Sequence, residues 1–329
     1  MRVSVLITVY NEGESVHALM DSLAAQTRAP DEIVIVDGGS TDDTVQRLQG
    51  YSTRMPLKLI VQHGANISTG RNRAAAESTG DLFAITDAGV ALPPDWLEAI
   101  SAPFFAPSPP DVVSGFFHAA PQSVFEVALG ATTLPALSDI QPEQFLPSSR
   151  SVAVRRSAFE RVGGYPEWLD YCEDLIFDLN LKEFAAFAFA PRADVAFRPR
   201  GSLHSFYTQY YRYARGDGKA DLWRKRHAIR YITYLVGLPL IVWLGFGGVG
   251  WVGQAASLVM LIAGAIVYTA RPYQRLGAVM RAYAPARRVT LAEWAWAVAL
   301  VPVIRVVGDV AKMIGYPVGV MWRLKQSLQ

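Results

Sequence analysis

Between Tyr231 and Ala270 the sequence contains no Asp, Glu, Lys, Arg or His. Helices of soluble proteins rarely stay free of charge over such a length, because one face meets water. About 20 apolar residues cross a bilayer, so this run suffices for two crossings, with GFGGVG (Gly245 to Gly250) as the turn. A helical hairpin in a membrane is expected. Cysteine is nearly missing too: Cys172 is the only one in 329 residues, which excludes an internal disulfide and fits a reducing compartment. No secretory signal is expected, since the apolar stretch in MRVSVLITVYNE is short and acidic and polar residues follow at once. The five histidines, His17, His63, His118, His204 and His227, show no close metal-ligand spacing. GxGxxG is absent, so the usual dinucleotide fingerprint has no support. The formal net charge of +2 says little overall, and nucleic acid is not among the expected partners.

What is present is an alternation of two periods. VSVLITV reads as a buried strand, Val16, Leu19, Met20 and Leu23 recur at helical spacing, and EIVIVD is a second strand. The series continues through a helix beginning near Ser40, where Ser40 and Asp43 have capping-box spacing. A strand LKLIVQ, a helix in STGRNRAAAES closed by Gly80, and the strand LFAIT complete it. Such alternation predicts an α/β, Rossmann-like domain with a mostly parallel sheet, whose ligands sit outside the carboxyl ends of the strands. Three of those ends are polar: TVYNE (Thr8 to Glu12), DGGS (Asp37 to Ser40) and TDAG (Thr86 to Gly89). Asp37 and Asp87 therefore share one edge with Thr8, Tyr10, Asn11 and Glu12. Two carboxylates on one rim repel, so a metal, a base or a ribose between them is expected.

Four stretches in this order, SVLITVYNE, EIVIVDGGSTDDT, STGRNRAAAESTGDLFAITDAGVALPPDWL and GGYPEWLDYCEDLIFDLNLK, resemble the inverting glycosyltransferases of family two, which have the GT-A fold. They cover most of residues 1 to about 200. The resemblance implies that Asp37 holds the base or ribose of a nucleotide sugar and that Thr8, Tyr10 and Glu12 line the same pocket. It places Arg71, in GRNRA, near the nucleotide, with a solvent-facing helix arginine as the other reading. Asp87 corresponds to the start of the family's Asp-x-Asp motif, which holds Mg²⁺ or Mn²⁺ against the diphosphate. Gly89 stands where the second Asp would be. One carboxylate can still hold Mg²⁺ when phosphate oxygens and waters supply the remaining ligands, and Gly89 would let the backbone pass close to the sugar phosphate.

Glu173 and Asp174 precede Leu175, Ile176, Leu179 and Phe184, so both carboxylates fall in the first turn of a helix, where its dipole favours them. The resemblance assigns Asp174 as the base that deprotonates an acceptor hydroxyl and Glu173 to the acceptor site. QYYRY (Gln209 to Tyr213) is similar to the family's QxxRW acceptor motif, which brings in Gln209 and Arg212, with Tyr213 replacing Trp. The rival reading is an aromatic, basic helix on a membrane surface. Arg305 and Asp309 are spaced to pair on one helix face.

The expected organisation is a catalytic domain over residues 1–205, a basic aromatic interfacial segment over 206–230 and a membrane region over 231–329. The last would hold the hairpin 231–270 and a third apolar segment near 292–314 that lies along the membrane without crossing. Basic residues flank the hairpin on both sides, which predicts cytoplasmic ends and a multi-pass protein of the inner membrane. The expected activity is inverting transfer of a sugar from a nucleotide-sugar donor to a lipid-linked or saccharide acceptor. A non-catalytic nucleotide-sugar-binding scaffold is the alternative, motivated by Gly89.

Overall fold

The structure is a computed structural model and describes residues 1–326; residues 327–329, the end of the expected membrane region, lie outside the described residues. The chain divides into two compact units. The first comprises Met1–His118 and Pro135–Arg198, and the second Ala119–Leu134 and everything from Pro199 onward.

In chain order the strands are β1 (Val3–Val9), β2 (Glu32–Asp37), β3 (Leu57–Val61), β4 (Leu82–Ile85), β5 (Val90–Ala91), β6 (Val112–Ala119), β7 (Val152–Arg155) and β8 (Phe187–Phe197). Helices α1 (Ser15–Ala24), α2 (Thr44–Gln49), α3 (Ile67–Glu77) and α4 (Trp96–Ser101) precede α5 (Val124–Thr133), which belongs to the second unit. Next come α6 (Arg156–Val162) and α7 (Glu173–Lys182). The sheet order is β3-β2-β1-β4-β7-β6-β8-β5. The four strands of the first half are parallel, as their alternation with helices predicts; beyond β4 the sheet turns antiparallel, with Phe83 opposite Val154.

Alternate residues of β1 and β2 serve two cores. Val3, Val5, Ile7, Ile33 and Ile35 join Leu19, Leu23 and Trp96 on one face. Leu6, Val34 and Val36 join Ala74, Phe159, Tyr165 and Phe177 on the other. Burial on both faces is why these strands read as unbroken apolar runs. The helix expected from Ser40 begins only at Thr44. Ser40 cannot cap it, because its backbone N–H and its hydroxyl both donate to Asp37.

The second unit is helical: α5, α8 (Leu203–Lys219), α9 (Arg224–Ile232), α10 (Leu238–Phe246), α11 (Gly250–Tyr283) and α12 (Leu291–Gln326). A π-helical turn, Thr233–Gly237, joins α9 to α10, and the hairpin turns at Gly247–Val249. The expected hairpin is therefore present as a helix pair. Arg224–Phe246 and Gly250–Tyr283 are each long and apolar enough to cross a membrane. Trp243, Phe246, Trp251, Ile266 and Val267 stand exposed on them. The third apolar segment is part of one continuous helix, α12, packed along α8. A Cβ at Gly218, Gly315 or Gly319 would run into the facing backbone, so glycine permits the close approach. The linear boundary expected at residue 205 is not that of the compact units. Val127, Ala128, Leu129 and Ala131 of α5 are buried among Phe206, Leu276, Met280 and Val301, which takes α5 out of the first unit.

Candidate active site

Two loops at the carboxyl ends of β1 and β2 are tied into one wall. Asn11 donates its backbone N–H to Ser40 Oγ at 2.8 Å and accepts from the Thr41 N–H at 2.8 Å; the N–H groups of Glu12 and Gly13 both donate to Thr44 Oγ1. Behind the wall lies a cavity of about 190 Å³ lined by Thr8, Tyr10, Glu12, Gly38, Asn66 and Gly70, among others. Its floor is narrow by design of the sequence: a Cβ at Gly70 would sit 2.7 Å from Thr8 Cγ2, so glycine lets α3 close against β1.

β1, β2 and β4 are parallel neighbours, so the three polar strand ends lie on one edge of the sheet. Thr8, Tyr10 and Glu12 line the cavity, but Asp37 does not. It is fully buried and accepts the N–H groups of Gly39 and Ser40 at 2.8 and 2.7 Å and the Ser40 hydroxyl at 2.5 Å. These three hydrogen bonds fix the turn and with it the wall that carries Gly38.

Arg71 is 2% exposed, which overturns the solvent-facing reading. Its guanidinium bridges two elements, donating to Asp87 Oδ1 at 2.8 Å from the turn after β4 and to Glu173 Oε1 at 2.9 Å from α7. Its face lies over the Tyr165 ring, 4.9 Å from the centroid, and Tyr165 in turn stacks on Phe177 at 4.1 Å. Burial opposes the arginine charge, yet Asp87, Tyr165 and Glu173 outweigh it and keep Arg71 protonated. Glu173 is pushed up to about 7, by burial first and then by the charge of Asp174, with Arg71 pulling the other way. Asp178, one turn further along α7, is buried and pushed well above its ordinary value, by burial first and then by the charge of Asp174. Asp174 itself is half-buried, and its Oδ1 accepts the Leu175 N–H at 2.8 Å.

Local sequence explains how α7 is aimed. Cys172 caps it in the left-handed conformation, φ +67°, uncommon for a residue with a Cβ, and this turn brings both carboxylates to the start of the helix. Upstream, the GGYPEWL loop is fastened to one face of α3. Asn66 Nδ2 donates to the Glu167 carbonyl, Asn72 Nδ2 to the Tyr165 carbonyl, and Asn72 Oδ1 accepts the Tyr165 N–H. Asn66, Asn72, Tyr165 and Asp178 were not singled out from the sequence. The spacing of Asn66, Thr69 and Asn72 on one helix face, three residues apart, was the signal available.

Gly89 is exposed, and a Cβ there would meet nothing within 4 Å. Nothing in the protein itself requires glycine at this position. Among the described residues no group of three His, Cys, Asp or Glu side chains could hold a metal ion. Asp87, 29% exposed, is the one partly open carboxylate on Arg71. Such a donor set fits a cation only as a complex with a diphosphate that supplies most of the ligands. Gln209 and Arg212 lie on α8 of the second unit, where Gln209 Nε2 donates to the Tyr213 hydroxyl at 2.8 Å and Arg212 is exposed.

Residues 4–162 match the model of the family "Glycosyl transferase family 2". Validoxylamine A glucosyltransferase from Streptomyces hygroscopicus subsp. limoneus is 33% identical over 117 residues, 34% of this chain and 26% of the relative. The chain thus spans about a quarter of that relative's length. The succinoglycan biosynthesis protein ExoA of Rhizobium meliloti is 27% identical over 250 residues, 72% of this chain and 74% of the relative. Among solved structures, the mannosyltransferase PcManGT of Pyrobaculum calidifontis, in complex with GDP-Man and Mn²⁺, superposes with a TM-score of 0.54 at 18% identity, covering 100% of this chain and 88% of the other. That likeness carries the GT-A fold. Residues 4–162, just under half of the chain, thus carry a glycosyl transferase family 2 match, on a GT-A fold.

Proposed function

We propose that the chain is an inverting glycosyltransferase that moves a sugar from a nucleotide-sugar donor to an acceptor hydroxyl at the cytoplasmic face of a membrane. The observation that carries this is one buried arginine, Arg71, joining the strand-end carboxylate Asp87 to the carboxylate pair at the start of α7. The nucleoside occupies the cavity beside Thr8 and Tyr10, and the diphosphate reaches toward Asp87 and Arg71. Asp174 takes the proton of the acceptor hydroxyl. The oxygen attacks the sugar C1 from the side opposite the diphosphate, the C1–O bond to phosphate breaks, and the configuration inverts in one displacement. A divalent cation, when bound with the diphosphate, would neutralise the charge developing on the leaving group, with Asp87 as its protein ligand. Residues 1–205 then form the catalytic domain, Glu173, Gln209 and Arg212 serve a lipid-linked or saccharide acceptor, and the relative named for succinoglycan biosynthesis supports a saccharide one.

Purified full-length protein incubated with UDP-, GDP- and dTDP-sugars should release nucleoside diphosphate from one class, more with Mn²⁺ than with chelator. Asp87→Ala should weaken the metal response. Gly89→Asp, which the open space accommodates, should lower the Mn²⁺ needed for half-maximal turnover by on the order of tenfold, since charge count tunes cation affinity. Chelator without effect on wild-type binding and turnover would remove the metal from this reading, and no release from any donor would leave the scaffold alternative.

The membrane part of the proposal rests on charge. Arg224, Lys225, Arg226 and Arg230 precede the hairpin and Arg271, Arg275, Arg281, Arg287 and Arg288 follow its charge-free portion, whereas the turn carries none. Both ends then stay cytoplasmic and only the turn crosses. A periplasm-active reporter fused after Gly248 should be active, and one fused at the C-terminus of the chain inactive. An inactive reporter at the turn would refute the crossing.

A further inference from the structure

Asp309 of α12 sits at the centre of a polar cluster that the glycosyl-transfer chemistry does not use. It accepts from Arg230 Nε at 2.7 Å, from the Tyr268 hydroxyl at 2.6 Å and from the Tyr234 hydroxyl at 3.2 Å, uniting α9, the turn into α10, α11 and α12. Instead of pairing along one helix face as its spacing with Asp309 suggested, Arg305 lays its guanidinium 4.2 Å from the centroid of the Tyr268 ring. Its Nε is buried with no hydrogen-bond partner among the described residues. Lys312, one turn beyond Asp309 on α12, feels the charges of Arg230, Asp309, Asp217 and Arg305, and its ammonium lies over the Tyr210 ring at 4.8 Å. Three cations thus share two carboxylates, and part of the cluster stays accessible, since the side chains of Arg230 and Asp309 are 15% and 17% exposed.

Depth decides what could balance this charge. Arg230 precedes Gly248 by about 18 residues and Tyr268 follows it by about 20, or about 27 and 30 Å of helix, and the hydrocarbon layer is about 30 Å thick. With the turn on the far side, the cluster falls at the cytoplasmic border of the hydrocarbon, where lipid headgroups lie. We propose that Arg305, Lys312 and Arg230 bind the phosphate of an anionic phospholipid headgroup, with acyl chains along the exposed apolar surface of α10 and α11. This rests on the membrane orientation proposed above and is independent of the assignment of Asp174. The half-buried guanidinium of Arg305 and the partly exposed one of Arg230 offer donors to the phosphate, which supplies the negative charge that Asp309 and Asp217 leave short.

The test uses the full-length protein in nanodiscs of phosphatidylcholine with phosphatidylglycerol, released into native mass spectrometry to count retained lipid. Wild type should retain phosphatidylglycerol over phosphatidylcholine, and Arg305→Gln and Lys312→Gln should each lower retention by about fivefold, the effect of one charge near a membrane surface. Arg305→Lys with Lys312→Arg should keep the preference. Equal retention of both lipids by wild type, or an unchanged preference in a double Gln variant that still unfolds cooperatively, would overturn the proposal. If the double variant does not fold, the two single variants decide by the same criterion. Loss of the preference at millimolar inorganic phosphate would mark a free-phosphate site and overturn the lipid assignment. Binding of nucleoside diphosphate is read in parallel: its loss with lipid retention intact counts against the transferase reading and not against this one.

Discussion

Asp174→Asn is expected to lower turnover by about a hundredfold to ten-thousandfold, the usual cost of removing a general base, while donor affinity stays within about twofold of wild type. The substitution keeps the shape of the side chain and its acceptance of the Leu175 N–H, so α7 should start where it does now. It also removes the negative charge that, after burial, pushes the Glu173 and Asp178 carboxyls upward. In wild type the acid limb of the rate profile is expected to carry the ionisation of Glu173 beside the base. Glu173, pushed up to about 7, places part of that limb near neutrality, and Glu173→Gln should move it to lower pH. A steady-state profile of kcat/KM between pH 5 and 9, with calorimetric titration of the donor, checks both expectations. An Asp174→Asn protein that keeps more than half of wild-type turnover would end the assignment.

Particular residues show how far the sequence alone could go. β1, β2 and β4 were legible because strands buried on both faces leave unbroken apolar runs, and α1 because Val16, Leu19, Met20 and Leu23 keep helical spacing. Thr8, Tyr10, Glu12 and Asp87 were placed on one edge by the same grammar. For Asp37 the turn it closes was not legible: a carboxylate before two glycines can accept from its own loop, as Oδ1 does from the Gly39 and Ser40 N–H groups. The burial of Arg71 was hidden for a different reason. The buried positions of α3 are Ser68, Gly70, Arg71, Ala74 and Ala75, small or polar, so no apolar periodicity announces which face turns inward. α5 shows a third kind of silence. Its apolar residues were readable as a core-forming set, whereas what covers them, Phe206, Leu276 and Val301, lies far along the chain.

Arg71→Met should be the most damaging change to stability in the site. It removes the guanidinium that pairs with both Asp87 and Glu173, and leaves those carboxylates beside Asp174 with no counter-charge from Arg71. Breaking a buried ion pair by deleting one partner costs about 3–5 kcal/mol, and because Asp87 is 29% exposed the lower end of that range applies. Arg71→Lys keeps the charge, but one ammonium cannot span two carboxylates as the planar fork does, so it should recover only part of the loss. The pH dependence follows from Glu173. Its folded value of about 7 lies above the ordinary 4.5, so its contribution to stability is fully present below about 4.5 and is lost as the pH rises through 7. Without Arg71, which draws that value down, the window extends upward, and the variant should approach wild type at pH 5 and fall furthest behind it at pH 8. Denaturant unfolding at the two pH values measures this directly. Equal deficits at pH 5 and 8 would mean that Arg71 holds the site by packing on Tyr165 and not by charge, and no deficit at either would show that the bridge between Asp87 and α7 is not what keeps the two carboxylate sites together.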